Sequence, residues 1–421
     1  MISWLVMRAG APEGAQSLGC TNSSGHPCHA LPLSGAARPT TIPDPRDAGI
    51  WPRIHYIPGM SNSFGEYLRI TTWGESHGPG IGVVIDGLPA GVPVSIETIA
   101  ADLARRRPGG DLASSRNEPD TPRILSGLLD GKTLGSPLAI WIESIDARSQ
   151  DYDEMADLYR PGHADFTTEA RYGHRDHRGG GRASARETAA RVAAGAVCRV
   201  MLAREYGIEI VGWVDEVAGI RADVDPAIVE SKDVEASAVR CPVPARSATM
   251  MEKIQTARDA GDSLGGWVAV TARGVPAGWG DPVFAKVKSL LGAALLSIPA
   301  AVAIEIGDGI AATSRCGSEN NDVFTSDGAG GICQQSNRSG GMQGGITSGE
   351  PVWARVGFKP TSTIATSQKT LNRSREEVEF EGRGRHDPCV LPRAVAIVEA
   401  MMALVLVDRM LARRATPPAS G

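Results

Sequence analysis

Residues 178–206 read RGGGRASARETAARVAAGAVCRVMLAREY. The stretch predicts the clearest helix of the chain, Ser184–Tyr206. Ser184 with Glu187 three residues on is a capping-box signature, and Ala, Val and Met fill the following turns. Three glycines run straight into that helix. A glycine loop feeding a helix N-terminus presents unpaired N–H groups and the positive end of the helix dipole. With Arg175, Arg178, Arg182 and Arg186 nearby, the segment suits a phosphate. A solvated basic surface is the plain alternative.

Outward from this helix, the chain alternates short apolar runs with helical patterns. Strands are expected at Tyr67–Thr72, Gly82–Ile85, Leu138–Glu143, Ile208–Val214, Trp267–Ala272, Val302–Ile306 and Val352–Phe358. Helices are expected at Ile96–Arg107 behind an N-cap at Ser95, at Thr249–Asp259, at Phe284–Leu296 and at Pro392–Arg414. The last carries an apolar stripe through Met401, Leu404, Val405 and Leu411. No regular βαβ rhythm links these elements, so the fold class is mixed α/β (α+β).

The chain has 421 residues with 42% hydrophobic ones, enough to bury a large core. Gly (50) and Pro (28) are abundant and aromatics are only 5%, which favours many tight turns. A net charge of −5 argues against a general nucleic-acid binder, so any anion site must come from a local arginine cluster. Seven cysteines without a CxxC pair read as reduced thiols of a cytoplasmic protein. No run of about 18 apolar residues marks a membrane span.

Residues 1–59 differ from the rest in their Gly, Pro, Ser and Cys content and lack of periodicity. They read as a disordered extension, or as an upstream start with Met60 the working one. Organellar targeting by this segment is disfavoured by Glu13, Asp44 and Asp47. Residues 415–421 read as a disordered tail.

Three groups of residues carry chemistry. Gly74-Glu75-Ser76-His77-Gly78 puts a histidine between glycines on a tight turn. Arg160-Pro161-Gly162-His163-Ala164-Asp165 precedes the glycine loop of 179–181. In the C-terminal half lie Gly340–Gly345, Lys359-Pro360-Thr361-Ser362-Thr363 and Gly384-Arg385-His386-Asp387-Pro388. An earlier run, Arg105-Arg106-Arg107, either simply ends a helix or clamps a multiply charged anion. His163, His174 and His177 invite a metal site, but Arg175, Arg178 and Arg182 among them would repel a cation. Loop histidines transfer protons near pH 7. The inventory fits elimination, phosphoryl transfer or phosphate-ester hydrolysis, and spacing leaves the three open.

Taken together, these strings resemble the chorismate synthase family from about Ser61 to Leu411. The resemblance rests on Asn62-Ser63-Phe64-Gly65, the 74–78 segment, the triple arginine with Pro-Gly and Arg-Pro-Gly-His-Ala-Asp. It continues through residues 178–188, Gly274-Val275-Pro276-Ala277-Gly278 and Gly-Arg-His-Asp-Pro-Cys at 384–389. It implies a single large catalytic domain over 60–414, a β-α-β sandwich assembled as a homotetramer. It implies an anti-1,4-elimination of phosphate from 5-enolpyruvylshikimate 3-phosphate to chorismate, the last step of the shikimate pathway, with reduced FMN and no net redox change.

By matched position, His77 is the general acid at the substrate phosphate, His163 the histidine near the flavin and Asp387 the carboxylate assisting proton removal. Arg182, Ala183, Ser184, Pro299, Ala300, Gly344, Lys359, Pro360, Thr361, Ser362, Thr363 and Arg385 match flavin-contacting positions. Arg106 and Arg160 match substrate-binding ones. Some relatives reduce their own flavin with NADPH; no added nucleotide domain is seen here, so an external flavin reductase is expected. Two departures stand out. Gly109-Gly110-Asp111-Leu112 replaces the usual Gly-Thr-Ser-Arg-Tyr, which moves the second anion-binding arginine (to Arg116) or removes it. His174 and His177 stand where relatives carry an apolar residue and Tyr. A non-catalytic flavin or phosphate-ligand binder and a metal-dependent phosphatase are the competing readings.

Overall fold

The N-terminal half builds one antiparallel sheet. Its strands are β1 (Ser63–Phe64), β2 (Arg69–Trp73), β3 (Gly80–Asp86), β4 (Pro122–Ser126) and β5 (Leu138–Glu143), in the order β1-β2-β3-β5-β4. The C-terminal half builds a second from β6 (Glu209–Val217), β7 (Ile220–Arg221), β8 (Gly266–Arg273), β9 (Ala301–Ile306) and β10 (Val352–Phe358), in the order β9-β10-β8-β6-β7. The structure is a computed structural model and describes residues 61–107, 119–145, 155–382 and 387–417. The extension expected over 1–59 lies outside them.

Alternation fixes which face of each strand is buried. In β3 and β5, Ile81 pairs with Ile142, Val83 with Ile140 and Ile85 with Leu138. All six side chains are fully buried. The apolar faces of the two sheets close over a helical middle layer. There α3 (Thr188–Tyr206) and α1 (Ile96–Arg106) pack on the first sheet, and α6 (Leu391–Ala415) packs on α3, on α5 (Val287–Leu296) and on the second sheet. This is the β-α-β sandwich expected from the resemblance.

The last helix departs from its expected stripe. From Ala394 to Met410 every residue of α6 is buried, while Leu411 is only partly so. A helix covered on all sides needs apolar residues all round, and the charged exceptions must be paired. Glu399 accepts from Arg105 and from the Gly212 N–H at 2.8 Å. Asp408 accepts from the N–H groups of Glu66, Tyr67 and Leu68 at 2.7–2.9 Å, pinning the chain before β2.

The helix α3 begins later than the capping signature places it. Ser184 caps a short 3₁₀ turn, Ala185–Glu187, by accepting from Arg186 N at 3.3 Å. The Glu187 carboxylate is engaged by Arg191 at 2.7 Å. By contrast, Ser95 caps α1 as expected, accepting from Thr98 N at 3.2 Å. The helix expected from Thr249 starts a turn and a half earlier as α4 (Pro244–Asp259), with proline in its first turn, where its missing N–H has no cost. The helix expected from Phe284 starts at Val287, and α6 runs one residue past the expected tail boundary to Ala415.

Candidate active site

A cavity of 630 Å³ opens where the start of α3 meets the loop of Arg160–Ala164, the turn after β10 and the first turn of α6. It gathers residues far apart in sequence. Arg106, Arg160, His163, Arg182, Ala183, Ser184, Pro299, Ala300, Asp387 and the whole run Lys359–Thr363 line it. Cationic side chains (Arg106, Arg160, Arg182, Arg191, Lys359, Arg393) face the carboxylates of Glu187 and Asp387 across the walls. That balance suits a multiply charged anion.

The loop of Arg160–Asp165 is tied inward by its own carboxylate. Asp165, at 3% exposure, accepts from Arg160 Nε at 2.7 Å, from Arg160 Nη2 at 2.8 Å and from the Arg160 N–H at 3.1 Å. His163 Nδ1 stands 3.1 Å from its Oδ1. Burial works to raise the Asp165 pKa, but the hydrogen bonds and charges of Arg160 and His163 hold it far below the ordinary carboxylate value. The loop is also fastened to the turn after β10: Lys359 Nζ and Ser362 Oγ both donate to the Gly162 carbonyl, at 2.5 and 2.8 Å.

Gly179 and Gly180 thread between the two histidines. A methyl on Gly179 would overlap the His77 ring, and one on Gly180 would lie 2.9 Å from His163 Cε1. Both have φ in the left-handed region, which glycine adopts without strain. His77 is buried, 3.2 Å from Ser76 Oγ through Nδ1, and stands behind Gly179, itself a lining residue. Ala300 also lines the cavity with φ of 67°, a costly conformation for a residue with a Cβ.

The arginines divide their work differently from a simple phosphate cluster. Arg175 donates to the carbonyls of Met155, Ala156 and Leu158 at 2.8–3.0 Å. Arg178 clasps Asp176, and Arg186 pairs with Asp120. Of the four around the glycine loop, only Arg182 lines the cavity; it is held there by Thr72 Oγ1 at 2.7 Å and the Gly74 carbonyl at 3.1 Å. The three arginines closing α1 diverge as well. Arg105 turns to Glu399 and Glu235, Arg106 enters the cavity, and Arg107 caps the helix.

Arg106 pairs with Asp120, and burial lowers its pKa to about 10 against the pull of that carboxylate. Its Nε is buried without a hydrogen-bond partner among the described residues. Burial works to raise Asp120, yet the charges of Arg106 and Arg186 keep it below its ordinary value.

Not every expected residue gathers here. Gly344 lies in the turn between Met342–Gln343 and Ile346–Thr347, outside the lining. Arg385, Arg116 and the altered stretch 109–112 lie outside the described residues. Conversely, Arg191 and Arg393 line the cavity although no sequence motif points to them, and Glu187, read from the sequence only as a capping residue, lines it too. Arg393 pairs with Asp387 and donates from Nε to the Arg106 carbonyl at 3.2 Å, joining α6 to the end of α1. Among the described residues, no three His, Cys, Asp or Glu are grouped to hold a metal ion, and no helix is long and apolar enough to cross a membrane.

The β-α-β sandwich with an arginine-walled cavity, a histidine and a carboxylate is the kind of protein that can hold a small polyanion. The sequence profile of the family described as chorismate synthase matches residues 68–411. A chorismate synthase of Akkermansia muciniphila is 52% identical over 357 residues, covering 84% of this chain and 99% of that protein. One of Microcystis aeruginosa is 51% identical over 353 residues, covering 84% and 96%. A crystal structure of chorismate synthase superposes with a TM-score of 0.66 at 33% identity, covering 83% of this chain and 93% of the other. The chain belongs to the chorismate synthase family, and the enzyme is a lyase.

Proposed function

We propose that the cavity binds 5-enolpyruvylshikimate 3-phosphate beside reduced FMN and eliminates phosphate to give chorismate, as the last step of the shikimate pathway. The observation that carries the reading is the convergence of Arg106, Arg160, His163, Lys359–Thr363 and Asp387 on one cavity. The residues fit a flavin mononucleotide. Pro299, Ala300 and Ala183 offer flat apolar walls to a ring system, while Ser184, Lys359 and Ser362 offer polar groups to a phosphate. Bound there, reduced FMN would supply electron density for the loss of the allylic phosphate and the C6 hydrogen, with no net oxidation.

The chain's own residues hold and move protons. Arg106 and Arg160, both on the cavity wall, grip the substrate's anionic groups. His77, behind Gly179, supplies the proton to the departing phosphate. His163 holds a proton beside the flavin, and Asp387, kept in place by Arg393, assists removal of the C6 proton. The resemblance further supports a homotetramer and an external flavin reductase.

The test is an anaerobic assay with the phosphorylated substrate, with and without reduced FMN. Chorismate and phosphate are expected in equal amounts only with the reduced cofactor. Phosphate release without chorismate, or turnover abolished by a metal chelator, overturns the proposal in favour of a phosphatase.

A further inference from the structure

Asp165 opens α2 (Asp165–Tyr172), and its placement exceeds a structural role. An acidic residue in a first helical turn ordinarily faces water and complements the helix dipole. This one turns back into the preceding loop, with 3% of its surface exposed, and takes up two cavity-lining residues of that loop, Arg160 and His163.

We propose that Asp165 is the positioning residue that sets the tautomer of His163 while holding Arg160 in its orientation. The proposal deepens the reading above and rests on it for the role of His163. The geometry is a triangle. Arg160 Nη2 is 2.8 Å from Asp165 Oδ1 and 3.0 Å from His163 Nδ1, and that nitrogen is 3.1 Å from Oδ1. His163 Nδ1 therefore has two partners that exclude each other. Bearing a hydrogen, it donates to the carboxylate; without one, it accepts from the guanidinium.

Charge decides between them. Asp165 also faces Arg175 Nη1 at 3.2 Å, so the carboxylate sits between two guanidiniums and the ring. Arg175 in turn reaches Glu169 on α2 at 3.2 Å. Among the described residues, the other charged groups of the surroundings are Lys359, bonded to the Gly162 carbonyl, and Arg106, Arg182, Glu187, Arg191, Asp387 and Arg393 on the cavity wall. With the carboxylate in place, a proton on Nδ1 is stabilised directly. The neutral ring then turns the lone pair of Nε2 outward, and the protonated ring turns an N–H there. Gly180 leaves that edge uncovered, since a methyl on it would lie 3.0 Å from Nε2. Without the carboxylate, Nδ1 faces guanidinium alone and becomes an acceptor.

The experiment uses the full chain labelled with ¹⁵N-histidine, free of substrate, with the His163 signals assigned by loss in His163→Gln. Ring ¹⁵N shifts report the tautomer directly. In the parent, the neutral ring is expected to carry its hydrogen on Nδ1; a hydrogen on Nε2 overturns the proposal without need of any variant. In Asp165→Asn, which removes the charge and one acceptor, the hydrogen is expected on Nε2 as Arg160 donates to Nδ1. An unchanged tautomer in that variant overturns the proposal as well. Both readouts are taken without substrate, so neither outcome depends on the role of His163 in turnover.

Discussion

Arg106 and Asp120 form an ion pair in which neither side chain exposes more than 2% of its surface. The same carboxylate takes Arg186 on its other oxygen. One buried anion is thus shared by two buried guanidiniums, which leaves a net positive charge, and Arg106 extends from it into the cavity. Removing one partner of such a pair leaves uncompensated charge, which costs about 3–5 kcal/mol. Asp120→Ala is therefore expected to lower the free energy of unfolding by that order and to raise KM for the phosphorylated substrate as Arg106 loses its anchor. Asp120→Asn, which still accepts from one arginine, should fall between. Denaturant unfolding and steady-state kinetics on both variants check this. A parent-like KM in Asp120→Ala would show that Arg106 needs no such anchor.

Acid sensitivity follows from the same carboxylates. Asp120 and Asp165 both titrate below their ordinary values in the folded chain. A carboxyl with a depressed folded pKa binds its proton more tightly in the unfolded chain. Its stabilisation is therefore complete above the unfolded pKa of about 4 and is lost as pH falls through the folded value. The stability gap between the parent and Asp165→Asn should be constant from neutral pH down to about pH 5 and narrow below about pH 4. Urea unfolding across that range measures it; a gap that stays constant below pH 4 would contradict the depressed titration.

The middle layer depends on a close approach of two helices. A methyl built on Gly195 of α3 would overlap the Ala400 methyl of α6 and lie 2.5 Å from the Ala400 backbone at its α-carbon. Ala is preferred over Gly inside a helix by about 1 kcal/mol, so propensity alone would make Gly195→Ala stabilising. Overpacking a dense core costs about 1–3 kcal/mol, and at this separation it should dominate. Gly195→Ala is expected to lower Tm. Adding Ala400→Gly should recover only part of the loss, because the clash with the backbone of α6 remains. Calorimetry on the two variants decides; a raised Tm in the single variant would mean that the helices separate freely.

Many strands and helices were legible because they announce themselves locally, while their assembly into a sandwich came from the family resemblance. Leu138–Glu143 and Val352–Phe358 match their expected bounds, and Ser95 caps the helix it precedes. What was not legible depends on partners distant in sequence. Arg175 and Arg186 read as free cations beside a glycine loop, yet they are spent on Met155–Leu158 carbonyls and on Asp120. Nothing near Arg186 in sequence reveals a carboxylate 66 positions away. The all-round burial of α6 was hidden for a related reason. Its buried Glu399, Asp408 and Arg409 interrupt the apolar pattern, and only their pairing shows that they lie inside. Arg393 gives no signal in the sequence because a basic residue in a first helical turn opposes the dipole and reads as incidental; its reason is Asp387.

The separation of the two histidines by a glycine backbone gives the most specific prediction. Gly179 has φ of 63°, touches the His77 ring and lines the cavity. A methyl there would overlap the ring and lie 2.8 Å from Ser76 Oγ. The backbone strain of a left-handed alanine costs about 1–2 kcal/mol, which a protein of this size tolerates. The displaced imidazole is the larger effect. Positioning a proton donor contributes about 10²–10⁴-fold to a rate. Gly179→Ala is therefore expected to lose at least about a hundredfold in kcat for chorismate formation, with a small change in Tm. KM should move little, since Arg106 and Arg160 are anchored by Asp120 and Asp165 and not by this loop. A double variant isolates the route: if Gly179→Ala acts through His77, combining it with His77→Ala should be no slower than His77→Ala alone. Additive losses would instead assign the glycine a separate role in the cavity wall.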